Sequence, residues 1–525
     1  MKISALGFLL LTSVAMDAQQ IDWNNNIKNL PVVDIRKYKK PSSTTAGIQE
    51  AWNANGPGNR YLIPAGVYHI SSCITVVDPI GKGIIFQGVG YSGSYLSGLT
   101  LLINDSNTTS IFCINGSNGV GGFTGGNIVI KDMQLLGNLS GSPTDNGINC
   151  NLCLGFQVDN VFQSNAIIGI NCTGCIRARI SNSNINTNWL QGIKLAGGGG
   201  GGGPYEVVHN TISANCLANP SADCGGLEIT NCLIAEVHSN DYEGNGMGGR
   251  SAFGTGAYGT RAYSINGFSY HDNYNERNDT GSLYMDYVKG FDAFSNYFEE
   301  SGLFVTANSA HGSARDNYFT NAVNAPISVS NAVNDGTGYC QITTSGNNIQ
   351  HVNNMVYLTG LGGSGCNGSG LVTISDTPTT FSVNIPFSGT YTSGGTMTQV
   401  SGLSVPLGND IKVYGNDFSL QRGLGLGTYT SGIQLMEGLG PALACAGTIA
   451  PTNQYHHITT TICAIANITS PTNQPSGFDG KFCAIPDVAF TTTTGGNIPV
   501  ASTAVVGRLL CWAHDPALNK WYPSY

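Results

Sequence analysis

Two carboxylates stand in strand-like phrases that open on a glycine: Glu228 in Gly226-Leu227-Glu228-Ile229, and Asp286 in Gly281-Ser282-Leu283-Tyr284-Met285-Asp286. Such a pair suits glycoside hydrolysis. One carboxyl protonates the leaving oxygen while the other activates a water, and an inverting pair stands roughly 6.5–9.5 Å apart. Glu228, flanked by apolar Leu227 and Ile229, is the candidate proton donor. A lyase would work differently: Arg261 or Lys194 would abstract the proton α to a uronate carboxyl, with Asp286 holding a cation such as Ca2+. The sequence requires no other cofactor. The candidate catalytic residues are therefore Glu228, Asp286 and Arg261. Lys194, Tyr263, Tyr284 and Phe304 are the candidate substrate-binding residues, because aromatic faces pack on the C–H side of sugar rings.

These residues are far apart in the chain, so a repeating scaffold must align them. Between residues 126 and 320 a phrase recurs in which Asn is followed, after one spacer, by a large apolar residue. It occurs at Asn160, Asn210, Asn240, Asn296 and Asn317, and more loosely at Asn184 and Asn273, with gaps of 24, 26, 30, 33, 23 and 21 residues. That spacing is a solenoid period. Alternation with period two in Ile176-Arg177-Ala178-Arg179-Ile180 and Leu227-Glu228-Ile229-Thr230 makes the coils strands rather than helices. Stacked about 4.8 Å apart, such coils share one core. The recurrent Asn tolerates left-handed backbone, and its amide bonds its counterparts above and below. Aligning the strands after Gly192, Gly226, Gly281 and Gly302 places Lys194, Glu228, Tyr284 with Asp286, and Phe304 with Thr306 on one exposed column. Arg261 and Tyr263 come from an intervening coil. Glu228 and Asp286 would then lie two coils apart, about 9.6 Å at strand spacing.

The entry segment contains Val33-Asp34-Ile35, a predicted helix over residues 45–53 carrying Ala46, Ile48, Ala51 and Trp52, and the run from Tyr61 through Pro64-Ala65-Gly66 to Tyr68. With the Asn phrase, it resembles the right-handed parallel β-helix of the pectate lyase superfamily, over roughly residues 30–335 and again 402–436. The resemblance implies an all-β solenoid with an N-terminal helical cap and a groove for an extended polysaccharide. The Asn-Thr-Asp, Asp-Asp, Gly-His-Gly and Arg-x-Lys motifs of polygalacturonases are missing, as is a lyase calcium signature, so the fold is implied without its chemistry. From about 338 to 401 the Asn phrase gives way to short strands such as Leu371-Val372-Thr373-Ile374 with Gly-rich turns. This stretch resembles a small β-barrel module of phage and bacterial surface proteins and reads as an insertion. The expected organisation is a signal peptide at 1–18, a cap at 19–75, a β-helix at 76–337, the barrel at 338–401, continuing helix and loops at 402–470, and a C-terminal β module at 471–525.

Charged residues are 10% of the 525, with 72 glycines, which excludes a charge-laced helical bundle, while 41% apolar residues provide for a large core. A net charge of −9 leaves no basic footprint for nucleic acid. The apolar run Ala5 to Met16 is too short to span a bilayer and suits a secretory signal. A secreted or cell-surface protein without membrane insertion is expected. Its fifteen cysteines fit an oxidising compartment, and the odd number leaves at least one unpaired or intermolecular. Cys150-x-x-Cys153 and Cys172-x-x-Cys175 have zinc-ribbon spacing, yet their 22-residue offset is also one coil of a repeat. Disulfide-linked or stacked cysteines are the preferred reading, and Cys340 with Cys366 and Cys483 with Cys511 are further candidate pairs. The expected partner is an extracellular polysaccharide, and a homotrimer is allowed. The rival class is a non-catalytic adhesion or tailspike-like structural protein.

Overall fold

A computed structural model of the chain describes residues 29–524 except 78–81, 92–98, 107, 117–125, 139–144, 199–201, 218–223, 247–257, 279–280, 300–301, 307, 321–325, 347–354, 378, 401–402, 406–410, 415, 420–427, 431–432, 440–441, 452, 460–462, 470–480 and 516–517. The expected signal segment lies outside the described residues. The chain forms two compact units, the first holding Met1–Ala218 and Gly226–Asp241, the second the remainder.

Each unit contains parallel β-helix. In the first, Ile168–Thr173, Ile176–Ser181 and Asn184–Asn186 make one coil, and Gln191–Ala196, Tyr205–Val208 and Thr211–Ser213 the next. Pairing is parallel and in register, as in Cys150 with Cys172 and Cys172 with Leu195. The helix Ile48–Asn55 buries Ile48, Ala51 and Trp52. Trp52 meets Tyr61 edge-on at 5.9 Å, and the aromatic contact continues inward through Phe86 and Phe112 at 5.2 and 5.3 Å. Each such side chain contributes about 2–3 kcal/mol on burial.

The corners divide between two residues the work expected of one. The left-handed bend falls on the residue before the asparagine: His209 and Ser239 in the first unit, Asp272, Ser295 and Asp316 in the second, with φ of 54 to 56°. The asparagine itself then bonds along the stack. Asn210 donates its backbone and side-chain N–H to Asn240 Oδ1, both at 3.0 Å. In the second unit Asn273, Asn296, Asn317 and Asn416 form a continuous series, with side-chain links of 3.1, 2.9 and 2.9 Å. Asn160 takes the bend role, with φ 53°, rather than the ladder role. Asn184 is a strand residue, and Ser183 holds the ladder place before it, accepting from Val161 and donating its backbone N–H to Asn210. A second ladder, unforeseen, links Asn188 to Asn215 at 2.8 Å and, in the other unit, Asn245 to Asn278 at 2.9 Å. Each link contributes about 1 kcal/mol net, while an orphaned buried amide costs about 1–3.

Both C-x-x-C pairs close on themselves as disulfides, Cys150 to Cys153 and Cys172 to Cys175, so the zinc spacing reflects two coils in register rather than a metal site. Cys340–Cys366 and Cys483–Cys511 form as expected, with Cys73–Cys113 and Cys445–Cys463 in addition. Of the fifteen cysteines, only Cys232 is free, and it is buried.

In the second unit the helix pauses after Tyr318–Thr320 and resumes at Leu403–Val405, which pairs with Leu303–Val305, and Asp417–Ser419 then pairs directly with Tyr318–Thr320. The intervening barrel closes with six strands between Ile327 and Val400. Its first strand, Ile327–Asn334, lies ahead of the boundary expected at 338, because Ile-Ser-Val-Ser alternates like a helix strand and spacing alone cannot separate the two. Val329, Ile342, Val356, Phe381 and Val383 fill its interior. Near the C-terminus, the hairpin of Leu510–Asp515 and Lys520–Ser524 packs Trp512 on Phe482, the rings 5.4 Å apart.

Candidate functional site

The glycine-opened strands form the sheet on which the sequence places its candidate residues. The glycine matters: a Cβ at Gly192 would sit 2.8 Å from Gly226 O, so only a bare backbone allows this approach between coils. In the first unit Asn149, Asn171 and Lys194 lie in one register column. Lys194 Nζ is 3.1 Å from Glu228 Oε1, and Gln191 donates to Glu228 Oε2 at 2.6 Å. Lys194 and Glu228 therefore meet as the strand alignment implies. Glu228, however, is only 5% exposed rather than open on a groove. A carboxylate this deep must be paired, and the side chains that pair it also cover it.

In the second unit Arg261, Tyr284 and Phe304 form one column, and Tyr263 and Asp286 form its neighbour. Asp286 is half-buried. Its Oδ1 accepts from Thr306 Oγ1 at 2.5 Å and from Asn308 Nδ2 at 3.0 Å, which fixes the carboxylate plane. Its Oδ2 has no hydrogen-bond partner among the described residues. The Tyr284 ring lies 4.8 Å from that of Tyr258. Burial pushes the Tyr284 hydroxyl above its usual range, the Asp286 charge adds to this, and Arg261 pulls the other way. Tyr263 meets Tyr287 edge-on at 5.6 Å, and Tyr287 is half exposed.

Phe304 departs from its expected place. It is 4% exposed and lies over Gly281, where an added Cβ would come within 2.6 Å of the ring, so its face covers backbone rather than a sugar. The structure thus joins Lys194 with Glu228 in one unit, and Arg261, Tyr263, Tyr284 and Asp286 in the other. Asn308 and Tyr287 were missed. Tyr287 occupies a left-handed corner, φ 54°, one residue past the strand alternation, and nothing in its spacing marks it as an outward ring. Among the described residues of this face Asp286 supplies one carboxylate, and one of its oxygens already accepts two bonds, against the roughly six to eight oxygens Ca2+ takes.

No protein-family model matches the chain, and no curated protein matches it. Among solved structures it is similar to a DFA-IIIase from Arthrobacter chlorophenolicus in complex with GF2, at 12% identity and TM-score 0.41, over 56% of this chain and 80% of that one. It is similar to the A-module of a mannuronan C-5 epimerase from Azotobacter vinelandii, at 14% identity and TM-score 0.34, over 55% and 81%. It is also similar to the Dettilon tailspike protein, at 10% identity and TM-score 0.33, over 70% and 94%. These likenesses concern fold alone.

Proposed function

We propose that this is a carbohydrate-active protein that engages an extracellular acidic polysaccharide on the face carrying Arg261, Tyr263, Tyr284 and Asp286, and that Asp286 moves the proton. The observation that carries this reading is the Asp286 carboxylate. One oxygen is held by two donors and the other has no partner among the described residues, in strands that also present a cation, a phenol and an aromatic ring.

The residue types favour elimination over hydrolysis. Hydrolysis requires a second carboxyl across the scissile bond, and Asp286 is the only carboxylate in the strands Tyr258–Ile265, Gly281–Val288 and Leu303–Val305. Elimination requires a cation on the uronate carboxylate, a base, and an acid for the leaving oxygen. Arg261 stays protonated, which suits it to pairing with the uronate rather than serving as base. Asp286 takes the proton α to that carboxylate, and the electron pair becomes the new ring double bond. The glycosidic oxygen leaves with a proton from Tyr284, which burial keeps neutral and able to donate. Fourteen disulfide-bonded cysteines fit an extracellular setting.

Incubating the full-length protein with polyuronates and neutral glycans tests this. Elimination yields new reducing ends together with the ultraviolet absorbance of unsaturated uronate. Reducing ends without that absorbance would overturn the mechanism in favour of hydrolysis, and binding without products would return the protein to the adhesin class.

A further inference from the structure

A second polar surface lies on the other sheet of the first unit from the one that carries Lys194. Five strands stack there in register and turn two adjacent columns outward. One column carries Arg60, Gln157 and Arg179 with Ile85 and Val129 between them, and the other carries Gln87, Lys131 and Asp159. Between them is a cleft of about 400 Å³. Ile85 and Val129, at 6% and 5% exposure, form its apolar floor. A second cleft shares Arg60 and Gln87, so these two residues sit on the divide between the two hollows.

Three cations and one carboxylate line this cleft, in a chain where acidic residues outnumber basic ones 31 to 22. The carboxylate is held at one oxygen: Asp159 Oδ1 accepts from Ser181 and Asn182, each at 2.8 Å. Lys131 leans on Asp132 at 3.4 Å. Arg179 Nε is 3.2 Å from Glu206 Oε2 but is not aimed at it in hydrogen-bond geometry, so that contact is Coulombic and the guanidinium fork is not satisfied by it. Arg60 has no ion-pair partner among the described residues. The three cations occupy the first, third and fifth strands of the stack. At about 4.8 Å per strand they recur every ~9.6 Å along the stack, with Lys131 set one column to the side, and that axial step is close to the length of two pyranose rings laid end to end.

We propose that this cleft binds a stretch of anionic polysaccharide whose carboxylate or sulfate groups fall on alternate sugars. Each anion meets one of Arg60, Lys131 and Arg179, the arginines offering two-pronged donors. The Gln87 and Gln157 amides meet ring hydroxyls, and the C–H faces lie on Ile85 and Val129. The site stands independently of the Asp286 face, since it lies on another sheet and uses none of its residues.

The test is titration calorimetry on the full-length protein with three oligosaccharides of equal length: one alternating uronate with N-acetylhexosamine, its sulfated counterpart without uronate, and a neutral pyranose oligomer. The site predicts binding of one or both charged ligands, weakened by salt, with the better ligand naming the anion. The Arg60→Gln/Arg179→Gln double variant loses at least ~10-fold in affinity, and Lys131→Gln loses affinity in the same direction. Equal binding of the neutral oligomer would overturn the proposal. So would wild-type affinity in the double variant with an unchanged melting temperature or, if that variant fails to fold, in Lys131→Gln.

Discussion

Asn317 donates its side-chain N–H to Asn416 Oδ1 at 2.9 Å, although 99 residues separate the two in sequence. The Asn317 backbone N–H reaches the same oxygen at 3.1 Å. The ladder thus closes across the inserted barrel as though the barrel were not there. Replacing residues 327–400 by a short Gly-Ser linker should therefore leave a cooperative thermal transition. Asn416→Ala orphans two buried donors and should cost about 2–3 kcal/mol in urea denaturation. Asn416→Ser should cost less, because Ser183 already serves at a ladder position.

Asp145 supplies a pH dependence. It is 4% exposed, and burial pushes its carboxyl up to about 6 against the opposing hydrogen bond from Asn104. The folded protein holds this proton more tightly than the unfolded chain. Its contribution to stability is therefore fully present below about pH 4 and lost as pH rises through 6, by at most about 3 kcal/mol. Asp145→Asn should remove that loss and be more stable than wild type at neutral pH, with the two converging near pH 4. Urea midpoints measured across this range check both the sign and the window.

The Lys194–Glu228 pair should behave as a buried unit. Lys194→Met alone strands a carboxylate that is 5% exposed and should cost about 3 kcal/mol. Lys194→Met with Glu228→Leu should recover most of it. A double-mutant cycle of unfolding free energies measures the coupling, and additive losses would mean that the ion pair contributes nothing.

Cys232 should be silent in the native state. Burial pushes its thiol up to about 12, so thiolate is scarce near neutrality. An aromatic disulfide reagent should find no thiol in the folded protein and one per chain after denaturation without reductant.

The solenoid was legible because its physical requirement, one stackable side chain per coil corner, writes itself as a period. Which residue bends and which bonds was not legible: Asn160 and Asn210 look alike in the chain but do different jobs. Alignment from the strand-opening glycines correctly paired Lys194 with Glu228 and Tyr284 with Phe304. Depth was out of its reach. Glu228 and Phe304 occupy outward strand positions yet are covered, one by its ion-pair partner and the other by lying over Gly281. The cleft of Arg60, Lys131 and Arg179 escaped notice because two of its strands, Asn59–Leu62 and Ile84–Gln87, precede the region where the Asn phrase makes register readable.

The most direct test of the proposed chemistry is turnover of a polyuronate by Asp286→Asn, with binding of the same polymer measured alongside. The substitution keeps an oxygen to accept from Thr306 and Asn308 but removes the base. Binding within about threefold of wild type and unsaturated product reduced by about 10²-fold or more is the predicted result. Undiminished formation of unsaturated product by the variant would contradict it.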